Sequence, residues 1–266
     1  MNAPRPPAVA GSFYPADPAT LAATVDGLLA AIAPSSAPPP KVLIVPHAGY
    51  IYSGSTAAVA YAALRAGRAS IRRVVLLGPT HRVAVAGLAL PTCSSFATPL
   101  GEIPLDLEAM ADLRQLPQIV ASDRVHAQEH SLEVHLPFLQ RVLDDFKLVP
   151  LAVGDTTPAA IAEVLDRLWG GPETLIVISS DLSHFKSYAA AQQVDRDTCQ
   201  QILDFATDIE PEQACGAYPL NGLLLTAGRR GLQPELLHLC NSGDTAGDRQ
   251  RVVGYAAFAL REPTNA

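Results

Sequence analysis

Three apolar runs in this sequence each give way to a histidine within a few residues. "VLIVPH" reaches His47, "VVLLGPTH" reaches His81, and "TLIVISSDLSH" reaches Asp181 and His184. Neutral imidazole is the commonest side-chain metal ligand and suits zinc, copper, iron or nickel. Asp181 and His184 are also the types for an acid–base pair, in which a carboxylate fixes the imidazole tautomer and raises its basicity. A fourth group, "HAQEHSLEVH", holds His126, Glu129, His130, Glu133 and His135. It lacks the HExxH order of zinc proteases. On a helix, Glu129 and Glu133 would share one face. The default expectation for such a face is a solvated, charged surface; the sharper one turns His130 and Glu129 into the crevice of the other histidines. Around His47 stand Tyr50 and Tyr52, expected to line a pocket, and Gly49 and Gly54, which with Gly78 would admit a close backbone approach.

Such residues need a scaffold that brings distant strand ends together. The spacing predicts strands at 42–46, 72–79, 87–93, 146–154, 174–180, 235–241 and 252–260. Between them it predicts helices at 55–67 closed by Gly67, 105–116, 157–169, 187–206 and 218–229, and one at 129–143 bent or restarted at Pro137. An earlier helix in "DPATLAATVDGLLAAIA" is N-capped by Asp17, and "APSSAPPP" is a proline-stiffened loop. Strands alternating with helices, the strands nearly continuous in apolar residues, imply an α/β fold. The expected form is a three-layer α/β/α sandwich with a mostly parallel central sheet. Ligands of such sheets bind beyond the carboxyl ends of the strands, where these histidines lie.

The chain has 266 residues, 48% of them hydrophobic, and no internal repeat or dividing linker, so a single domain over 1–266 is expected. A net charge of −7 without a basic tract excludes nucleic acid and anionic membrane as partners. No signal-peptide h-region and no apolar run of about 20 residues is present, so a cytoplasmic location is expected. The four cysteines, Cys93, Cys199, Cys215 and Cys240, form no CxxC pair and read as buried thiols in a reducing compartment. No GxSxG elbow supports a serine hydrolase.

The blocks "AGSFYPADP", "VPHAGYIYSG", "LLGPTH", "EHSLEVHLPFL", "SSDLSHF" and "NSGDTAGDRQRVVGYAAFAL" together resemble the Memo family, whose prokaryotic members are called AmmeMemoRadiSam system protein B. The resemblance implies a fold similar to the LigB-like, class III extradiol dioxygenases. Those enzymes hold Fe(II) with two histidines and a carboxylate and use a further histidine as acid–base group. It implies His47 and His81 as metal ligands, His184 as the acid–base group and Asp181 beside it. For the third ligand it points to the segment before the last strand, near Thr245. There Asp244 is preferred over Cys240, because it completes a two-histidine-one-carboxylate set. Fe(II) is the expected metal, with copper or zinc as alternatives, and the expected chemistry is that of a dioxygenase-like oxidoreductase acting on a small substrate or O2. The competing expectation is a non-catalytic module that binds ligands or peptides, or handles metal, in the same crevice. The family name further implies association with a radical-SAM protein and an AMMECR-type protein.

Overall fold

The structure is a computed structural model that describes residues 3–263. In chain order its elements are α1 (Pro18–Ala30), β1 (Val42–Val45), α2 (Tyr50–Ala62), β2 (Arg73–Pro79), β3 (Leu88–Leu90), β4 (Ser95–Thr98), β5 (Gly101–Pro104), α3 (Leu107–Leu113), β6 (Ile119–Ala121) and α4 (Asp123–Ala127). Then follow α5 (Leu136–Val142), β7 (Lys147–Val153), α6 (Pro158–Leu168), β8 (Thr174–Ser179), β9 (His184–Lys186), α7 (Tyr188–Leu203), α8 (Ala217–Arg230), β10 (Gln233–Asn241) and β11 (Val252–Arg261).

The main sheet runs β10-β11-β1-β8-β2-β7-β3-β6, with β9 added alongside β11. Its centre, β1-β8-β2-β7, is parallel throughout. At one flank β11 joins β1 antiparallel, and at the other β3 joins β7 antiparallel. Every residue of β1 and β8 is buried, and in β2 only the first is not. Strands buried this way must be covered on both faces, which is why they read as unbroken apolar runs. Helices α1, α2 and α5 pack together, with α2 on β1, β10 and β11; α6 and α8 pair with each other, and α8 packs on β2 and β8. The result is the expected three-layer α/β/α arrangement. Asp17 caps α1 by accepting from the Thr20 amide at 2.8 Å.

Some element boundaries differ from the sequence reading. Helix α2 begins at Tyr50, because the chain turns at Gly49 and the Tyr50 amide donates to the Phe13 carbonyl at 2.8 Å. Gly67 does not close α2; it ends a separate 3₁₀ turn, Arg65–Gly67. The expected helix over 129–143 forms only from a 3₁₀ turn at Glu133–His135 and from α5, with Pro137 in the first turn of α5. Its first residues stay irregular, since the amides of His130 and Ser131 donate to the Glu129 carboxylate rather than to helix carbonyls. The hairpin β4–β5 and the short elements β6, α4 and β9 were not foreseen.

Candidate metal centre

Strands β1, β8 and β2 are neighbours and parallel, so the loops after them open at one edge of the sheet. His47 follows β1, Asp181 follows β8 and His81 follows β2. The segment before α5 brings His130 to the same place. The ring centroids of His47 and His81 lie 5.1 Å apart, those of His47 and His130 5.4 Å, and those of His81 and His130 4.5 Å. One ligand nitrogen from each ring lies within 4.8 Å of the other two.

Each ring is set by its surroundings. His47 is 2% exposed, and its Nδ1 sits 2.6 Å from Ser179 Oγ. That hydroxyl donates to the Ser131 carbonyl at 2.6 Å, so it accepts from His47 Nδ1–H and leaves Nε2 with its lone pair. Gly78 makes this relay possible: a Cβ there would stand 2.9 Å from Ser131 Oγ and 3.1 Å from Ser179 Cβ. His81 Nδ1 donates to Glu129 Oε1 at 2.9 Å, which turns its other nitrogen inward. Glu129 also accepts from the amides of His81, His130 and Ser131. Burial opposes its charge, but the bonds from His81 and these amides outweigh it and draw the carboxyl down to about 2. His130 packs against Phe13, the ring centroids 4.7 Å apart and the planes tilted by 49°. Its Nδ1 is buried without a hydrogen bond, with Glu129 Oε1 3.4 Å away. Burial, followed by the neighbouring His81, lowers His130 to about 4, and burial likewise lowers His47. These shifts favour neutral His47 and His130, the form that ligates metal.

Asp181 Oδ1 accepts from the His47 amide at 2.7 Å, while Oδ2 lies 4.0 Å from His47 Nε2. Burial raises Asp181 to about 7, against the pull of the His47 and Ala48 amides. His184, partly buried in β9, is lowered by burial. A cavity of about 440 Å³ opens beside His130 and Asp181, lined also by Phe13, Tyr52, His184 and Arg251 among others.

Not every expected residue comes here. Asp244 closes a capping box with Asn241 around the 3₁₀ turn Ser242–Asp244, and its other oxygen accepts from the Tyr188 hydroxyl. It lies outside the group of atoms that could hold a metal ion, which is made by His47, His81 and His130. Thr245 bonds the Ser242 carbonyl, and Cys240 meets Thr56 Oγ1 at 3.2 Å. Cys240 and Asp244 line a different cleft. Tyr52 lines the cavity, whereas the Tyr50 hydroxyl donates to the Val134 carbonyl inside the core. The face expected to be solvated is not: Glu129 and Glu133 are 1% and 0% exposed. They also face apart, Glu129 toward His81 and Glu133 toward Arg5 and Tyr14. Cys215 was missed. Its Sγ lies 3.3 Å from His47 Nε2, and burial, then Asp181, pushes the thiol up. No motif around it could have signalled this.

A family model described as Memo-like protein matches residues 5–259. A MEMO1 family protein of Sulfolobus acidocaldarius is 35% identical, over 94% of this chain and 97% of that protein. Another, from Methanopyrus kandleri, is 36% identical, over 97% and 99% respectively. Among solved structures, an uncharacterized protein of Escherichia coli K12 superposes with a TM-score of 0.51, covering 82% of this chain and 98% of its own. At 11% identity that likeness concerns the fold alone.

Proposed function

The chain belongs to the Memo-like family, and from that premise and the histidine geometry we propose a metal-dependent oxidoreductase whose ion is held by His47, His81 and His130. The observation that carries this is the convergence of three imidazoles, His47 buried, His130 half-buried and His81 exposed. In two of them the distal nitrogen is fixed by a hydrogen bond, and the third has an orphaned nitrogen. The donor set is all nitrogen, which suits iron, copper or zinc alike, and Fe(II) is proposed first on the resemblance to the LigB-like dioxygenases. When bound, such an ion supplies Lewis-acid and redox chemistry toward a small substrate or O2.

The chain's own residues do the rest. Ser179 and Glu129 hold His47 and His81 in the ligating tautomer. Asp181, raised to about 7 and lining the cavity, exchanges a proton near neutral pH at Oδ2, the oxygen 4.0 Å from His47 Nε2. His184, neutral through burial, accepts or returns a proton as another lining residue of the same cavity. Phe13 covers His130 and limits water there.

Metal content after anaerobic purification tests the reading. Wild type is expected to hold close to one iron per chain, and His47→Ala, His81→Ala and His130→Ala each to lose most of it. Retention of metal in all three variants would overturn the site. Stoichiometric metal without O2 consumption across candidate reductants would favour the non-catalytic, metal-handling reading.

A further inference from the structure

Phe185 breaks two rules at once. Its φ is +58°, in the left-handed region that side chains avoid, and it is 62% exposed. The cause is a β-bulge: Val252 pairs with Lys186 and Val253 with His184, which leaves Phe185 unpaired between them. Glycine is the usual residue at a left-handed bulge position. Bulges near active sites re-aim side chains, and local strain of this kind is kept where something depends on it. Here the aimed ring flanks His184 at 5.7 Å, and the Arg251 guanidinium lies over it at 5.0 Å. Arg251 and His184 both line the histidine cavity. Arg251 forms no ion pair among the described residues, although the chain is acidic overall. The nearest acid on its loop, Asp248, spends one oxygen on the amides of Gln250 and Arg251.

The geometry points to an anion anchor: Arg251, held over the ring of the strained Phe185, binds a carboxylate or phosphate on the substrate, whose apolar body lies in the cavity among Phe13, Tyr52 and Tyr255. A guanidinium presents a fork that matches either oxyanion. This assignment of substrate class rests on reading the cavity as the reaction site.

The test uses benzoate, phenylphosphonate and the neutral benzamide as probes, titrated by calorimetry into metal-free and zinc-loaded protein. Benzoate or phenylphosphonate is expected to bind about tenfold more tightly than benzamide, and Arg251→Met to erase that preference. The tighter of the two anions identifies the source as carboxylate or phosphate. Phe185→Gly is expected to weaken anion binding several-fold while leaving the melting temperature unchanged or higher, since it removes the strain. A merely structural phenylalanine would instead lower it. Arg72→Met, just before β2 and so at the end of the strands away from the histidines, controls for loss of charge and should not alter binding. Equal affinity for benzoate and benzamide, indifference to Arg251→Met, or no anion binding at millimolar concentration would overturn the assignment. Metal content in the same samples separates this outcome from failure of the metal site.

Discussion

Ser179 Oγ stands between His47 Nδ1 and the Ser131 carbonyl, 2.6 Å from each. One hydroxyl thereby fixes which nitrogen of His47 is free, and it ties the end of β8 to the segment that carries Glu129 and His130. Ser179→Ala should lower metal affinity by about 10–100-fold, the range seen when the partner of a ligating histidine is removed. It should also cost about 1–3 kcal/mol of stability by stranding buried polar atoms. Competition with a chromogenic chelator measures the first effect and urea unfolding the second; unchanged metal affinity would sink the tautomer argument.

Glu129 serves His81 as Ser179 serves His47, with the difference that it also organises the backbone. Glu129→Gln keeps the shape but replaces one acceptor oxygen with a donor amide facing N–H groups. The expected result is weaker metal binding together with a nitrogen-15 signal for His81 that reports loss of the single tautomer. Wild-type tautomer and affinity in the variant would show that the carboxylate only caps the loop.

The strand ends were legible because β-branched and leucine runs have to stop where polar chemistry begins, and His47, His81 and Asp181 follow those stops directly. The neighbourhood of the three was legible only in outline: β8 lies between β1 and β2, and that order depends on long-range packing. His130 and Glu129 were read as part of a helix because their types allow one, yet a buried carboxylate competed for the amides and won. The segment of Asp244 looked available, but Asn-Ser-Gly-Asp forms a tight turn that uses its own acid as a cap. Cys215 meets His47 from 168 residues away and without a motif. Nothing in "SHFK" announces a left-handed phenylalanine.

His126 and His135, both buried, make stability fall with acid. Burial lowers His126 to about 4 and His135 to about 3, below the ordinary 6.5 of an unfolded histidine. The unfolded chain therefore binds more protons than the folded one between pH 6.5 and these values. Stability is fully present above 6.5 and is lost as pH falls, by up to about 1.4 kcal/mol per pH unit for each histidine. Asp181, raised to about 7, acts in the opposite sense and is worth more to the fold below neutrality than above it. Urea unfolding from pH 8 to pH 5 should show a net decline, and His135→Leu should make it shallower by about one proton. An identical slope in that variant would mean that His135 is protonated in the folded protein.

Arg5 and Glu133 form a buried ion pair that fastens the N-terminal strap to the body. Glu133 also accepts from the amides of Ala8 and Val9 and from the Tyr14 hydroxyl. The strap in turn delivers Phe13 onto His130. Removing one partner leaves a buried charge uncompensated, so Arg5→Met or Glu133→Gln should each cost about 3–5 kcal/mol. The double variant should cost less than the sum, because the partners share one interaction. Hydrogen exchange across residues 5–14 should rise in every variant, and bound metal should exchange faster as Phe13 leaves His130. Additive losses in the double variant, or slow exchange in a strap that has lost Glu133, would mean that apolar packing alone holds this segment over the histidines.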